Sequence, residues 1–251
     1  MILFFIAANS GTANYLYSLL QRAVYFLQNT MKGIRNMTKK ERAALAISGL
    51  AEIYPDALCS LTYRKPYELM IAGRLSAQCT DARVNVVTKV LFERYPTLES
   101  FAEANIDDVA EIVKPCGLYK TKAKSIVEAC RRLLYDFGGE LPKTIEELTT
   151  LSGIGRKTAN LIMGDVHHLP AIVTDTHCIR ITGRLGLTKE TEPAKVEQDL
   201  LKIIPPADGS DFCHRLVLFG REYCTARSPK CSECPLKKHL SKDGKEFKCR
   251  L

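Results

Sequence analysis

The chain has 251 residues, 46% of them apolar and 25% charged, a composition that supports one large core or two modest ones. Its longest apolar run, Ile2 to Ala8, falls far short of the ~20 residues of a membrane-spanning helix, and such a span is excluded. Lys and Arg outnumber Asp and Glu by 36 to 28, and the net charge of +8 leans toward a polyanionic partner.

The first 36 residues fit poorly with the rest of the chain. MILFFIA lacks the positive segment that precedes the apolar core of a secretory signal, and no small-residue cleavage site comes after it. Met31 and Met37 each stand just before a helical pattern, so the extension 1–36 is expected to lie outside the fold. From Lys39 apolar positions recur at helical spacing: Ala43, Ala46, Ile47, Leu50 and Ile53, then Val84, Val87 and Leu91. Further stripes run from Ile106 to Val113, through Ile126, Cys130, Leu133 and Phe137, from Val196 to Ile204 and from Phe212 to Phe219. Gly138-Gly139, Pro142, Pro170 and Pro205-Pro206 punctuate them. The only strand-like run, Ala171 to Thr174, is too short to build a sheet, so the class is all-α.

Between two of these helices lies Leu-Ser-Gly-Ile-Gly, 151–155. Gly153 and Gly155 permit a tight turn and close backbone approach, and the N–H groups opening the next helix form a phosphate-binding end. An ordinary turn between helices also accepts glycine, but the pattern looks like a helix-hairpin-helix that grips DNA backbone. Ten cysteines occur without a disulfide-like arrangement: Cys59, Cys79, Cys116, Cys130, Cys178 and Cys213 are scattered, whereas Cys224, Cys231 and Cys234 crowd together. The spacing Cys-x6-Cys-x2-Cys has the form of an iron–sulfur site.

The string Leu-Ser-Gly-Ile-Gly-Arg-Lys-Thr-Ala-Asn (151–160), followed by Val-Thr-Asp-Thr-His (173–177), resembles the endonuclease III family of base-excision DNA glycosylases. The resemblance runs from Met37 to Cys234. It implies a two-lobed all-α fold: a six-helix barrel over 59–169 carrying the hairpin, and a second lobe joining 37–58 to 170–251 with a [4Fe–4S] cluster. It implies a bifunctional glycosylase and AP lyase that excises oxidised pyrimidines from double-stranded DNA, working as a monomer in the cytoplasm. Lys157 matches the family's nucleophile and Asp175 its catalytic partner. An amine suits that chemistry, because attack on the deoxyribose C1′ yields an iminium that acidifies the 2′ proton for β-elimination. Burial near Arg156 and a helix N-terminus is expected to lower the lysine's pKa, and Asp175 also reads as an N-cap.

Two further strings match. Leu-Ser-Ala-Gln-Cys-Thr-Asp (75–81) puts Gln78 where the family inserts a polar wedge and Asp81 at the pocket; Gly-Leu-Tyr-Lys-Thr-Lys-Ala (117–123) puts Leu118 where an apolar wedge enters. Lys120, Lys122 and Lys124, with Arg156, Arg227 and Lys230, fit DNA phosphate contacts. The histidines are expected to be structural. The family's fourth cysteine falls here on Leu240, leaving Cys249, His239 or no ligand to complete the site. A zinc site of three cysteines and a histidine is chemically acceptable, but iron–sulfur clusters favour thiolates, so Cys249 is the expected ligand. An adenine-mismatch glycosylase, or a catalytically silent DNA-binding module, is the alternative reading. Lys157 argues against the first, and activity on abasic DNA separates the second.

Overall fold

A computed structural model describes residues 37–242, 245–246 and 249; the expected extension 1–36 lies outside them. Among the described residues the chain forms eleven α-helices, three short 3-10 turns and one small hairpin. Helix α1 (Lys39–Ile53) begins at a capping box in which Thr38 and Glu41 satisfy each other's backbone N–H groups, and it buries Ala43, Ala46 and Leu50. Helix α2 (Pro66–Leu75) opens with proline and is almost wholly buried. Thr80, Thr97 and Asn105 cap α3 (Asp81–Arg94), α4 (Leu98–Ala102) and α5 (Ile106–Val113). A 3-10 turn (Lys114–Cys116) then leads into the long α6 (Tyr119–Asp136).

Helices α7 (Ile145–Leu148) and α8 (Arg156–Asp165) flank the glycine turn. Then come α9 (Thr176–Arg184), α10 (Pro193–Leu201) and α11 (Gly209–Glu222). A 3-10 turn (Pro235–His239) precedes strands β1 (Ser241–Lys242) and β2 (Lys245–Glu246), which pair antiparallel with Ser241 opposite Glu246. The all-α class therefore holds, with this two-residue ribbon added.

Buried apolar side chains form two clusters. One draws on residues between Leu61 and Ala171, with Phe101 packed among the rings of Tyr67, Phe92 and Tyr95. The other joins Ala43, Ala46 and Leu50 of α1 to residues between Ile172 and Leu240. The run Ala171 to Thr174 forms no strand; it is buried because it crosses from one cluster to the other. That crossing puts the N-termini of α8 and α9 at a shared cleft.

Candidate active site and metal centre

The turn preceding α8 depends on Gly153. Its φ of 74° lies in the left-handed region, and a side chain there would collide with Arg74, whose Nε donates to Ser125 Oγ at 2.7 Å. Leu151 and Ile154 are buried as anchors. Gly155 is the N-cap of α8, no side chain caps the helix, and the space in front of it is open. The first-turn N–H groups therefore face outward at the helix's positive end, the arrangement that receives a phosphate.

The three residues after Gly155 divide the work of orienting α8. Arg156 forms a two-pronged ion pair with Glu197 on α10, Nε to Oε2 at 2.8 Å and Nη2 to Oε1 at 2.7 Å, and Asn160 donates to the same carboxylate at 3.1 Å. Glu197 is buried and raises the Arg156 pKa. Thr158 packs so closely on Gly73 of α2 that a Cβ there would lie 2.7 Å from the threonine methyl. Between them, Lys157 reaches the cleft. The structure corrects one sequence expectation, since Lys157 is exposed rather than buried, and it adds that Arg156 pairs its fork with Glu197.

Asp175 is the N-cap of α9, with Oδ1 accepting from Cys178 N–H at 2.7 Å, which leaves its other oxygen for the cleft. Lys157 and Asp175 line the same opening with Ser76, Asp81, His177 and Arg221, around a volume of about 490 Å³, within the range of ligand pockets. Arg221 on α11 donates to Asp81 Oδ2 at 2.7 Å and so links the cleft's two walls.

Gln78 and Leu118 stand at the rim, both exposed and both in left-handed backbone, with φ of 55° and 48°. Such angles are uncommon for residues with side chains and mark loops held by their surroundings. The holder is Lys122, one of the three lysines expected at phosphate. Its ammonium group is buried and donates to the carbonyls of Leu75 at 2.9 Å, Ala77 at 2.8 Å and Cys116 at 2.8 Å, joining the two loops from beneath. Burial lowers its pKa. Lys120 and Lys124 remain exposed, as do Arg227 and Lys230.

Behind the cleft lies a network that no motif in the sequence announces. Asp165, at the end of α8, accepts from Ser210 Oγ at 2.5 Å and meets His214 Nε2 at 2.8 Å, both on α11. Burial pushes the Asp165 pKa up, but the bonds to His214, Ser210 and Cys59 outweigh it and the net shift is downward. Burial and the Asp165 carboxylate push the Cys59 thiol up to about 12, so it stays protonated and can donate.

Cys224, Cys231 and Cys234 line one cavity, walled by Ile181, Leu185, Phe219 and Leu236. Arg184 Nη1 lies 3.2 Å from Cys224 Sγ and donates to the Thr225 carbonyl at 2.8 Å, while Arg180 binds the Cys224 carbonyl at 3.0 Å. Two arginines of α9 thus tie the cysteine loop to the helix that Asp175 begins. Soft thiolates beside guanidinium charge suit an iron–sulfur cluster, which when bound cross-links this loop through metal–sulfur bonds.

Known proteins share this chain's sequence pattern and fold. Residues 71–206 match the model of the HhH-GPD superfamily base excision DNA repair protein, and residues 224–239 that of the iron–sulfur binding domain of endonuclease III. Endonuclease III of Synechocystis sp. is 45% identical over 200 residues, covering 79% of this chain and 91% of that protein. The Bacillus subtilis endonuclease III is 40% identical over 201 residues, covering 80% and 92%. A trapped endonuclease III–DNA covalent intermediate superposes with a TM-score of 0.76 at 40% identity, covering 85% of this chain and 97% of the other. A non-covalent endonuclease III–DNA complex gives 0.75 at 42% identity, covering 83% and 97%. The chain belongs to the endonuclease III family, the bifunctional DNA glycosylases and AP lyases of base excision repair that carry a [4Fe–4S] cluster.

Proposed function

We propose that the chain excises oxidised pyrimidines from double-stranded DNA, and cleaves at the resulting or pre-existing abasic site, with Lys157 as nucleophile and Asp175 as its catalytic partner. The carrying observation is that these two side chains, from helices rooted in different core clusters, line one cleft. In this reading the lobes 59–169 and 37–58 with 170–251 hold the duplex between them, as a monomer in the cytoplasm and nucleoid. Backbone donors at Gly153 and Gly155, with Arg227 and Lys230, take phosphates. Arg156 positions α8. Gln78 and Leu118 fill the gap left when the damaged nucleotide is rotated out, a step this chemistry needs because a stacked base hides C1′.

The neutral Lys157 Nζ attacks C1′ as the C1′–N bond breaks, and the base leaves with the electron pair and is protonated. The free oxygen of Asp175 faces the positive charge that develops on the sugar. Loss of the amine proton and opening of the ring give an iminium between Nζ and C1′. Removal of a 2′ proton then sends an electron pair toward that iminium and expels the 3′ phosphate. Water hydrolyses the iminium and frees Lys157. The adenine-mismatch alternative lacks this lysine, and a silent module would not cleave.

Borohydride reduces the iminium and traps the enzyme on abasic DNA. Lys157→Gln is expected to lose that adduct while keeping duplex affinity. Asp175→Asn preserves the cap, since asparagine caps as well as aspartate, so its fall in turnover, about 10²- to 10³-fold, reports the carboxylate charge alone. An undiminished adduct in Lys157→Gln refutes the assignment.

A further inference from the structure

We infer that Cys249 is the fourth thiolate of the [4Fe–4S] cluster, reached through an enlarged C-terminal loop that replaces the five-residue spacing of the family. The inference rests on the cluster assignment above. The position where a fourth cysteine would follow Cys234 is Leu240, and this leucine is buried in the second core cluster. It is a packing residue, and no ligand stands there.

His239 does not serve instead. Its imidazole turns toward α1, with Nε2 3.7 Å from Glu52 Oε2, and its side chain packs against Gly49, where a Cβ would lie 2.8 Å from the His239 Cβ and 2.9 Å from the ring Cγ. It takes no part in the wall of the cysteine cavity, whereas Cys249 does, together with Cys224, Cys231 and Cys234. Four thiol groups and an apolar wall thus share one cavity.

The hairpin explains how a residue so far along the chain returns. Pairing of Ser241 with Glu246 and of Lys242 with Lys245 leaves only Asp243-Gly244 between the strands, a dipeptide suited to a two-residue turn. Opposed residues in such a ribbon have Cα atoms roughly 4.5–5.5 Å apart. The chain is therefore back beside Ser241, the neighbour of Leu240, when it reaches Glu246. Three more residues span at most about 10 Å, which brings Cys249 to the cavity. The insertion is absorbed by the ribbon, and the point of ligation moves very little. Thiolate supply is what a cubane site requires: three protein sulfurs leave one iron without a protein ligand.

The test uses the full chain, purified without oxygen, with iron and sulfide measured and free thiols alkylated and mapped by peptide mass spectrometry. The expected result is about four irons per chain, with Cys249 protected from iodoacetamide alongside Cys224, Cys231 and Cys234. Removing iron with a chelator should then expose all four. Cys249 is exposed, and labelling of it in cluster-loaded protein to the extent seen in unfolded protein overturns the inference while leaving the cluster intact. Cys249→Ser should lose about one iron in four and lower the melting temperature, and His239→Ala should keep both. The reverse pattern assigns the histidine and overturns the inference. Purified protein with no iron would refute the cluster itself, and the inference with it.

Discussion

At Lys122 an ammonium group without solvent exposure is shared among the carbonyls of Leu75, Ala77 and Cys116, so one side chain sets the ground beneath both rim loops. Lys122→Met fills similar space but strands three carbonyls, and each unsatisfied buried group costs about 1–3 kcal/mol. Chemical denaturation should show a loss of at least that size, and an unchanged midpoint would contradict the role. Excision should suffer more than cleavage of a pre-formed abasic site, because in the proposed roles of Gln78 and Leu118 only the first step needs a base ejected. The sequence did carry the signal for this residue. Lys122 lies four positions before Ile126 on the stripe that continues through Cys130, which is the buried face of α6. Spacing alone marks Lys120 and Lys122 as equivalent, whereas the helical face separates them. Arg156 is harder to read, since its partner Glu197 is remote in sequence and no local pattern announces a long-range ion pair.

Among the elements, α8 and α11 are joined by the network of Asp165, Ser210, His214 and Cys59, and their junction sets how the wall bearing Lys157 meets the wall bearing Arg221. The folded-state pKa of Asp165 lies below its ordinary carboxylate value of ~3.9. A carboxyl depressed in this way contributes stability that is fully present above the unfolded pKa and is lost as pH falls through the folded one. Asp165→Asn should therefore cost about 1–3 kcal/mol at neutral pH, with the gap to wild type closing below roughly pH 4. A gap that persists unchanged into acid would rule out the ionised carboxylate as its source. Helix identities are legible from apolar stripes and caps, and the cap at Asp175 is one that the sequence shows. The β1–β2 ribbon escapes such reading because two-residue strands show no alternation, although the Asp-Gly turn pair is visible.

For the whole molecule, two core clusters joined by a buried crossing at Ala171 to Thr174 leave a cleft whose rim carries exposed glycine donors and lysines. The net charge of +8 and the open N-terminus of α8 predict binding that ignores sequence and weakens steeply with salt, each neutralised phosphate adding about −0.9 to the log–log slope. Gly155→Asp places a negative charge at that N-terminus and should weaken all duplexes by the same factor in fluorescence anisotropy. A loss confined to one sequence would contradict the backbone-gripping role. The resemblance implies two lobes and a catalytic pair. The contacts that join the two core clusters are not legible in the sequence, because they link residues distant along the chain.

In the proposed reaction the covalent bond to DNA forms at Lys157. Trapping wild-type enzyme on abasic-site DNA with borohydride, digesting both partners and sequencing the adduct by mass spectrometry locates that bond directly. A deoxyribose remnant is expected on the peptide containing Lys157 and on no other. A remnant on another lysine or on the N-terminal amine, with Lys157 unmodified, would contradict this assignment.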